Sequence, residues 1–284
     1  MKKVLVLGAT GLIGHQVYYH LQETGNYQVV AMANTRKLDE KTIQVDARNE
    51  HAFIKELNNI SPDIIINCMG VLISEANRNP EHTIFLNAYM PHRLKRFANE
   101  VGAKLIHIST DCVFSGKKGA YTEADIKDAD DIYGRAKALG EIIDDKHLTL
   151  RTSVVGPELK DGEELFHWFM FQQGKIQGYT KSIWSGVTTL ELAKVVEWSI
   201  KYHITGLYHV TNGQPINKYN LLMLFKKYTG KRIDIQAVDG RVTDKSFLDT
   251  RKEYQAKLPS YDEMIDEMIG YMKSHSELYS QYSL

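Results

Sequence analysis

Short apolar runs alternate with segments of helical periodicity along the first half of the chain. The runs lie at 4–7, 29–32, 43–45, 64–66 and 104–108. Between them, apolar residues recur every three or four positions, which predicts amphipathic helices. Continuous apolar strands that alternate with helices indicate parallel strands covered on both faces. The pattern therefore predicts an α/β fold built on a doubly wound parallel sheet.

A glycine-rich turn follows the first apolar run and precedes the first helix. Gly8, Gly11 and Gly14 are spaced three apart, and backbone without Cβ atoms lets a phosphate approach the N–H groups of a helix start. The spacing differs from the common G-x-G-x-x-G fingerprint of Rossmann folds, so the match is partial. The alternative is a strand, a turn and a helix that only pack closely. The predicted pyrophosphate contacts are Gly8, Thr10, Gly11, Leu12, Ile13 and Gly14.

The end of the second strand indicates which dinucleotide is bound. An acid there contacts the ribose 2′-OH, whereas an arginine accommodates a 2′-phosphate. No carboxylate appears before Asp39, and Arg36 can contact a phosphate through two hydrogen bonds. We therefore expect NADPH, with NADH left open. The alternative for Arg36 and Lys37 is a solvated loop, which suits Lys37 better.

Polar and small residues follow the other predicted strands at the edge where such sheets bind ligands. They are Asp46, Asn67, Cys68, Met69 and the run Ser109-Thr110-Asp111. The helix predicted from about Glu81 to Gly102 contains Asn87, which either faces solvent or is kept for a hydrogen bond.

Tyr133 and Lys137 lie four residues apart on a predicted helix and so share one face. An ammonium group beside a phenol stabilises the phenolate, which would lower the pKa of Tyr133 from about 10 towards the range useful for proton transfer. The pair would form a general acid, although a Y-x-x-x-K match taken alone is usually coincidence.

Composition narrows the function classes. Lys plus Arg total 35 and Asp plus Glu total 35, which gives no net field for nucleic acid or an anionic membrane. Cys68 and Cys112 form no C-x-x-C pair, so reduced cytoplasmic thiols are expected. The 11 scattered histidines do not predict a metal site. No apolar run approaches the roughly 18 residues of a membrane helix, and we interpret the N-terminal apolar run as the first strand.

Beyond Gly156 the alternation of strands and helices weakens. We predict a cofactor domain at 1–154 plus 188–211 and a smaller substrate domain at 155–187 plus 212–284. In the latter, 174–184 is expected to be a polar loop and the tail from Tyr271 to fray. Lys175 and Lys181 either contact a diphosphate or are solvated, and Trp184 is the aromatic candidate for a substrate contact.

In combination, these residues resemble the extended short-chain dehydrogenase/reductases. The three glycines, Asn67, Thr110, and Tyr133 with Lys137 stand at that family's places and in its order. The segments 109–116 and 150–153 are most similar to its dTDP-4-dehydrorhamnose reductase branch. The resemblance covers the first 155 residues well and the remainder loosely.

The resemblance implies roles for individual residues. Tyr133 would protonate a substrate oxygen that Thr110 binds, while NADPH delivers hydride to the adjacent carbon. Lys137 would also hold the nicotinamide ribose, and Asn87 would support the proton path. Asp46 would lie near the adenine. The implied sugar contacts are Asp111, Cys112 and Val154; the last two replace a tyrosine and a tryptophan that are frequent in this branch.

The function expected from the resemblance is reduction of the keto group of a nucleotide-activated deoxysugar in polysaccharide biosynthesis. One alternative is an epimerase with tightly bound NAD; a dehydratase is disfavoured because Cys112 follows Asp111 where a second carboxylate is usual. Another alternative is a non-catalytic nucleotide-binding subunit, although such subunits tend to lose the Tyr or Lys. A homodimer is left open.

Overall fold

The computed structural model of the chain describes residues 1–160, 162–251 and 257–284. Its strands, in chain order, are β1 (Lys2–Leu7), β2 (Tyr27–Ala33), β3 (Ile43–Gln44), β4 (Ile64–Asn67), β5 (Lys104–Thr110), β6 (Leu148–Thr152), β7 (Val154–Val155), β8 (Lys175–Tyr179), β9 (Ser182–Trp184), β10 (Val187–Thr188), β11 (Gly206–His209), β12 (Ile216–Asn217), β13 (Asp234–Val238) and β14 (Thr243–Asp244).

The helices pack around these strands. They are α1 (Leu12–Glu23), α2 (Glu50–Ile60), α3 (Ile73–Arg78), α4 (Pro80–Thr83), α5 (Met90–Glu100), α6 (Ile132–Gly140), α7 (Leu165–Phe171), α8 (Thr189–Lys201), α9 (Lys218–Thr229) and α10 (Tyr261–Ser274). A π-helical turn, Ile84–Tyr89, joins α4 to α5.

Seven strands form a parallel sheet in the order β3-β2-β1-β4-β5-β6-β11. Successive residues of β1 point to opposite faces, as the pleat requires: Val4 and Val6 join the core beneath α1 and α8, whereas Leu5 and Leu7 join the core beneath α2 and α5. Both faces are therefore covered, and the predicted doubly wound Rossmann-type fold is confirmed. The strand order reverses between β1 and β4, which is where ligands bind in such sheets.

The C-terminal half adds smaller sheets to this framework. Strand β8 pairs with β13, and β9 lies between β12 and β14. The expectation of a polar loop at 174–184 is wrong, because β8 and β9 lie there. In β8 the buried Ile176 and Gly178 alternate with exposed residues, a period-2 pattern in which glycine replaces one of the apolar side chains.

The C-terminal tail is packed, contrary to the expectation that it frays. Helix α10 begins with a capping box between Ser260 and Glu263, and it packs against α8 and α9. Tyr279 is 2% exposed and Tyr282 is 7% exposed. Both rings contribute apolar area while their hydroxyl groups bind polar partners, so aromatic residues hold a segment whose polar composition suggested disorder.

Within the described residues, no helix is long and apolar enough to cross a bilayer. Cys68 and Cys112 are free thiols. The same part of the chain contains no group of three His, Cys, Asp or Glu side chains placed to hold a metal ion.

Candidate active site

The turn between β1 and α1 has the backbone geometry of an anion site. Gly11 is the N-cap residue of α1 and supplies no side-chain cap to the first N–H groups, which are left available to a ligand. A Cβ atom on Gly14 would overlap the carbonyl oxygen of Gly8. The glycine therefore lets the first turn of α1 lie directly on the end of β1, and the start of the helix fits a cofactor pyrophosphate.

Two guanidinium groups lie on the side of this turn where β2 and β3 end. Arg36 is exposed just after β2. Asp46, predicted to lie near an adenine, is bound by Arg48, whose Nε and Nη2 atoms lie 2.9 Å and 2.6 Å from Oδ2. The Arg48 contact holds the pKa of Asp46 below its usual value. Arg48 was missed by the sequence analysis, since its partner lies only two residues away in a turn and no motif marks it.

The end of β4 is fixed by buried amide contacts. Asn67 Oδ1 accepts a hydrogen bond from the N–H of Met69 at 3.1 Å, and its Nδ2 lies 3.1 Å from Nδ1 of His107. Burial holds the pKa of His107 well below its usual value, so its neutral Nδ1 accepts the amide proton. Asn67 thus positions Cys68 and Met69, whose backbone lies against Gly8.

Thr110 and Tyr133 meet at the end of β5. Thr110 Oγ1 accepts a hydrogen bond from the N–H of Cys112 at 3.1 Å. Asp131 caps α6 by accepting the N–H of Gly134 at 2.8 Å, and a Cβ on Gly134 would overlap the carbonyl oxygen of Cys112. The start of α6 can therefore pack on the turn after β5, and this packing brings Tyr133 close to Thr110.

Lys137 lies one helical turn further along α6 and is buried. Its Nζ donates to the carbonyl oxygen of Ile108 at 2.7 Å, and burial lowers its pKa to about 8. The pKa of Tyr133 is raised, chiefly by burial and then by Cys112. The predicted lowering of the Tyr133 pKa is therefore not found: desolvation of the phenolate outweighs the favourable contact with Thr110. A phenol that keeps its proton at neutral pH suits a proton donor.

A carboxylate and a cation lie beside this pair, and the surroundings of Tyr133 to which they belong are called the candidate pocket. Asp111 is buried and accepts a hydrogen bond from Thr110 Oγ1 at 3.1 Å, and burial raises its pKa. Lys245 follows β14 and lies near the Cys112 thiol and Asp111. Burial lowers the pKa of Lys245, but Cys112 and Asp111 raise it overall, so this lysine is charged.

Glu164, the N-cap residue of α7, is a second acid in the pocket. Burial, and then the charge of Glu158, raises its pKa to about 7, and Asp111 contributes to the shift. Lys218, at the start of α9, opposes the shift. No motif in the sequence marks Glu164, Lys218 or Lys245, since each comes near the site only when the C-terminal half folds against it.

The other predicted substrate contacts lie in different settings. Val154 is half-buried in β7 and pairs with Val187. Trp184 is 8% exposed and packs on Tyr261 with ring centroids 5.7 Å apart. Lys175 is exposed at the start of β8, and Lys181 forms an ion pair with Asp239 at 2.6 Å. Of the predicted substrate residues, the structure brings Asp111 and Cys112 to Tyr133.

The chain is similar in sequence and in fold to several known proteins. The sequence model of the family described as "RmlD substrate binding domain" matches residues 1–269. The spore coat polysaccharide biosynthesis protein SpsK of Bacillus subtilis is 28% identical over 266 residues, which are 91% of this chain and 87% of that protein. The dTDP-4-dehydrorhamnose reductase of Escherichia coli is 32% identical over 158 residues, 54% of this chain and 51% of the enzyme.

Methionine adenosyltransferase 2 subunit beta from Rattus norvegicus is 28% identical over 239 residues, 78% of this chain and 70% of that protein. The crystal structure of dTDP-4-dehydrorhamnose reductase from Bacillus anthracis in complex with NADP superimposes with a TM-score of 0.81 at 22% identity, covering 95% of this chain and 99% of that one. That likeness establishes the fold that the two chains share.

Proposed function

Since this chain belongs to the RmlD substrate binding domain family, we propose that it is an NADPH-dependent reductase of the keto group of a nucleotide-activated deoxysugar. The resemblance to the extended short-chain dehydrogenase/reductases, and to their dTDP-4-dehydrorhamnose reductase branch, is confirmed, as is the prediction of an NAD(P)-dependent oxidoreductase. One observation carries the proposal: α6 packs directly on the end of β5, which brings Tyr133 and Lys137 beside Thr110 at the same edge of the sheet as the turn after β1.

In the proposed reaction NADPH, when bound, would supply the hydride that the keto carbon receives. Tyr133 gives its proton to the keto oxygen. Thr110 orients that oxygen by turning its hydroxyl proton from Asp111 to the keto group. The buried ammonium of Lys137, held by Ile108 at 2.7 Å, binds the ribose next to the nicotinamide and stabilises the phenolate left on Tyr133. The uncapped start of α1 holds the pyrophosphate.

A nucleotide-activated sugar suits the charges of the pocket. The buried Asp111 accepts hydrogen bonds, as recognition of sugar hydroxyl groups requires. Lys218 lies near Glu164, and Lys245 lies near Asp111. Because of this position beside Tyr133 and its neighbours, we favour them as diphosphate contacts over Lys181, which is paired with Asp239 at the surface. Cys112 is smaller than the tyrosine frequent at this position, which would leave room for a larger sugar substituent.

The proposal is tested by mixing the purified chain with NADPH and a panel of nucleotide 4-ketosugars and following cofactor absorbance. We expect oxidation of NADPH with at least one sugar. Tyr133→Phe should lower kcat by about 10²–10⁴-fold, whereas Tyr89→Phe, a matched change on an exposed side chain, should leave it unchanged. Full activity of Tyr133→Phe would overturn the assigned mechanism. Conversion of a sugar without net oxidation of NADPH would favour an epimerase instead.

The similarity to methionine adenosyltransferase 2 subunit beta favours a second candidate, a nucleotide-binding subunit of a larger enzyme. The intact set of Thr110, Tyr133 and Lys137 supports the reductase. Affinity purification from the native host distinguishes the two: the subunit role predicts a partner in fixed stoichiometry and no turnover with any sugar, and the reductase predicts turnover by the isolated chain.

A further inference from the structure

We propose that the C-terminal tail orients the cofactor-binding turn, with Tyr279 and His15 as positioning residues for NADPH. This inference rests on the proposed function only in its choice of ligand. The tail returns to the first turns of α1, where His15 directly follows Gly14, the last glycine of the turn. His15 is fully buried, and its ring lies 5.9 Å from that of Tyr279 in an edge-on arrangement.

The hydrogen bonds of His15 have one consistent assignment. Its Nδ1 lies 2.8 Å from the carbonyl oxygen of Gly11, which can only accept, so Nδ1 carries the proton. Burial lowers the pKa of His15 to about 4, so the ring is neutral and Nε2 is an acceptor. The Tyr279 hydroxyl, 3.1 Å from Nε2, must therefore donate to it.

Gln16 completes the chain of hydrogen bonds. Its side-chain amide lies 3.2 Å from the Tyr279 hydroxyl oxygen, whose only proton is already committed to His15. Gln16 Nε2 is otherwise buried without a partner among the described residues. With the amide oriented so that Nε2 faces the oxygen of Tyr279, Nε2 donates to that oxygen. Protons are then donated in one direction, from Gln16 to Tyr279, from Tyr279 to His15 and from His15 to Gly11.

These hydrogen bonds fix the peptide group between Gly11 and Leu12, whose N–H would face the pyrophosphate. The carbonyl of Gly11 and the N–H of Leu12 belong to one planar trans peptide and point in opposite directions. The Gly11 oxygen accepts both the ring proton of His15 and the His15 backbone N–H, the latter at 3.2 Å. Holding that oxygen on one side fixes the direction of the Leu12 N–H on the other, at the uncapped start of α1 that receives the pyrophosphate.

The tail is itself anchored, so Tyr279 is held in place independently of the cofactor. The hydroxyl of Tyr282 lies 2.8 Å from the backbone nitrogen of Glu158 and 2.8 Å from Nδ1 of His167. Tyr271 donates to Glu23, near the C-terminal end of α1, at 2.8 Å. The tail therefore connects α1 to the segment that precedes α7.

The test is a titration of the full chain with NADPH in the absence of sugar, in which fluorescence measures the binding. Tyr279→Phe keeps the ring and removes the proton donated to His15, so we expect the Kd to rise roughly three- to tenfold. Tyr282→Phe is the matched control: it removes a hydroxyl from the same tail without touching α1 and should leave the Kd unchanged while lowering thermal stability. At saturating cofactor, kcat should be equal in the wild-type chain and both variants.

An unchanged Kd for Tyr279→Phe, or an equal rise in both variants, would overturn the positioning role. The proposed reductase fails separately, if the wild-type chain binds NADPH but reduces no sugar; the titration then still decides the role of the tail. A wild-type chain that binds no NADPH would overturn both.

Discussion

The side-chain amide of Asn87 binds both backbone groups of Val71. Asn87 Oδ1 accepts from the N–H of Val71 at 2.8 Å, and Nδ2 donates to its carbonyl oxygen at 3.0 Å. Asn87 is fully buried in the π-helical turn, a distortion that is common at functional sites. The contact fixes the segment that follows Cys68 and Met69, so it positions the backbone beside the cofactor turn.

Asn87→Asp should therefore weaken the fold. A carboxylate can accept from the Val71 N–H, but it loses the donor and leaves a buried carbonyl unpaired, for which we expect a loss of about 1–3 kcal/mol in the free energy of unfolding. Asn58→Asp is the control, because Asn58 also donates to a helix carbonyl, that of Ile54, but at the surface; its effect should stay within about 0.5 kcal/mol. Equal losses in urea denaturation would contradict this assignment.

Gly14→Ala tests the close approach of α1 to β1. Its Cβ would overlap the backbone of Gly8, so the cofactor turn must shift. We expect a lower melting temperature and weaker NADPH binding. Gly270→Ala is a matched change inside α10 at a position with open space around it, where alanine should stabilise the helix by about 0.5–1 kcal/mol. The two variants should shift the melting temperature in opposite directions in calorimetry.

Most of the fold of residues 1–154, where we expect the cofactor to bind, could be predicted from the sequence because the signals in this segment are local. Strands β1, β2 and β4 contain continuous apolar runs, and the glycine spacing and Thr110 directly follow or end a strand. The pair Tyr133 and Lys137 is marked by its own spacing of four residues. The identity of the strand neighbours then follows from the rules of parallel sheets. The π-helical turn around Asn87 was missed because the apolar spacing of that segment still resembles that of an ordinary helix.

The rest of the pocket depends on contacts between distant segments. Lys245 reaches Cys112 because β14 pairs with β9, Thr243 opposite Ser182, and strands of two or three residues leave almost no periodic signal. Glu164 precedes a seven-residue helix with no feature that marks it as an acid of the pocket. The tail was misjudged because hydroxyl-bearing residues suggest solvent exposure, whereas Tyr279 uses its hydroxyl for a buried hydrogen bond.

Cofactor preference should depend on Arg36. If Arg36 binds the 2′-phosphate, Arg36→Ala removes charge-assisted hydrogen bonds to that group. The substitution should then raise the KM for NADPH by about 10–100-fold and leave the KM for NADH nearly unchanged. Lys37→Ala, at the next exposed position, serves as the control and should alter both values little. Initial rates with the two cofactors measure this; equal effects of the two substitutions would assign the preference to general charge.

The buried pair of Glu141 and Arg151 should be costly to split. Arg151 Nε and Nη2 lie 2.8 Å and 2.7 Å from the Glu141 oxygens, and the two side chains are 1% and 0% exposed. Although burial raises the pKa of Glu141, the contact with Arg151 lowers it overall. Arg151→Met would leave the buried carboxylate with Lys127 and the Ser109 hydroxyl as the partners that remain, at a cost of about 3–5 kcal/mol. In urea denaturation, Glu141→Leu combined with Arg151→Met should be more stable than Arg151→Met.

Glu164 should make stability fall as the pH rises. Its pKa in the folded chain is about 7, above the ordinary value of 4.5, so between these values the folded chain holds a proton that the unfolded chain releases. The free energy of unfolding therefore decreases across this window. Glu164→Gln stays neutral and should gain stability relative to wild type between about pH 5 and pH 8, by at most about 3 kcal/mol.

The adjacent Glu163 provides the control, because Glu163→Gln removes a carboxylate at an exposed position one residue away. Every other titrating group of the pocket, including Glu158 and Asp111, remains in both variants, so the difference between them isolates Glu164. In denaturant titrations at several pH values, we expect Glu164→Gln to increase the free energy of unfolding relative to wild type by an amount that depends on pH. For Glu163→Gln we expect a difference from wild type that does not change with pH. Parallel profiles would mean that Glu164 is ionised in the folded chain, and it could then serve the pocket only as an acceptor of hydrogen bonds from the sugar.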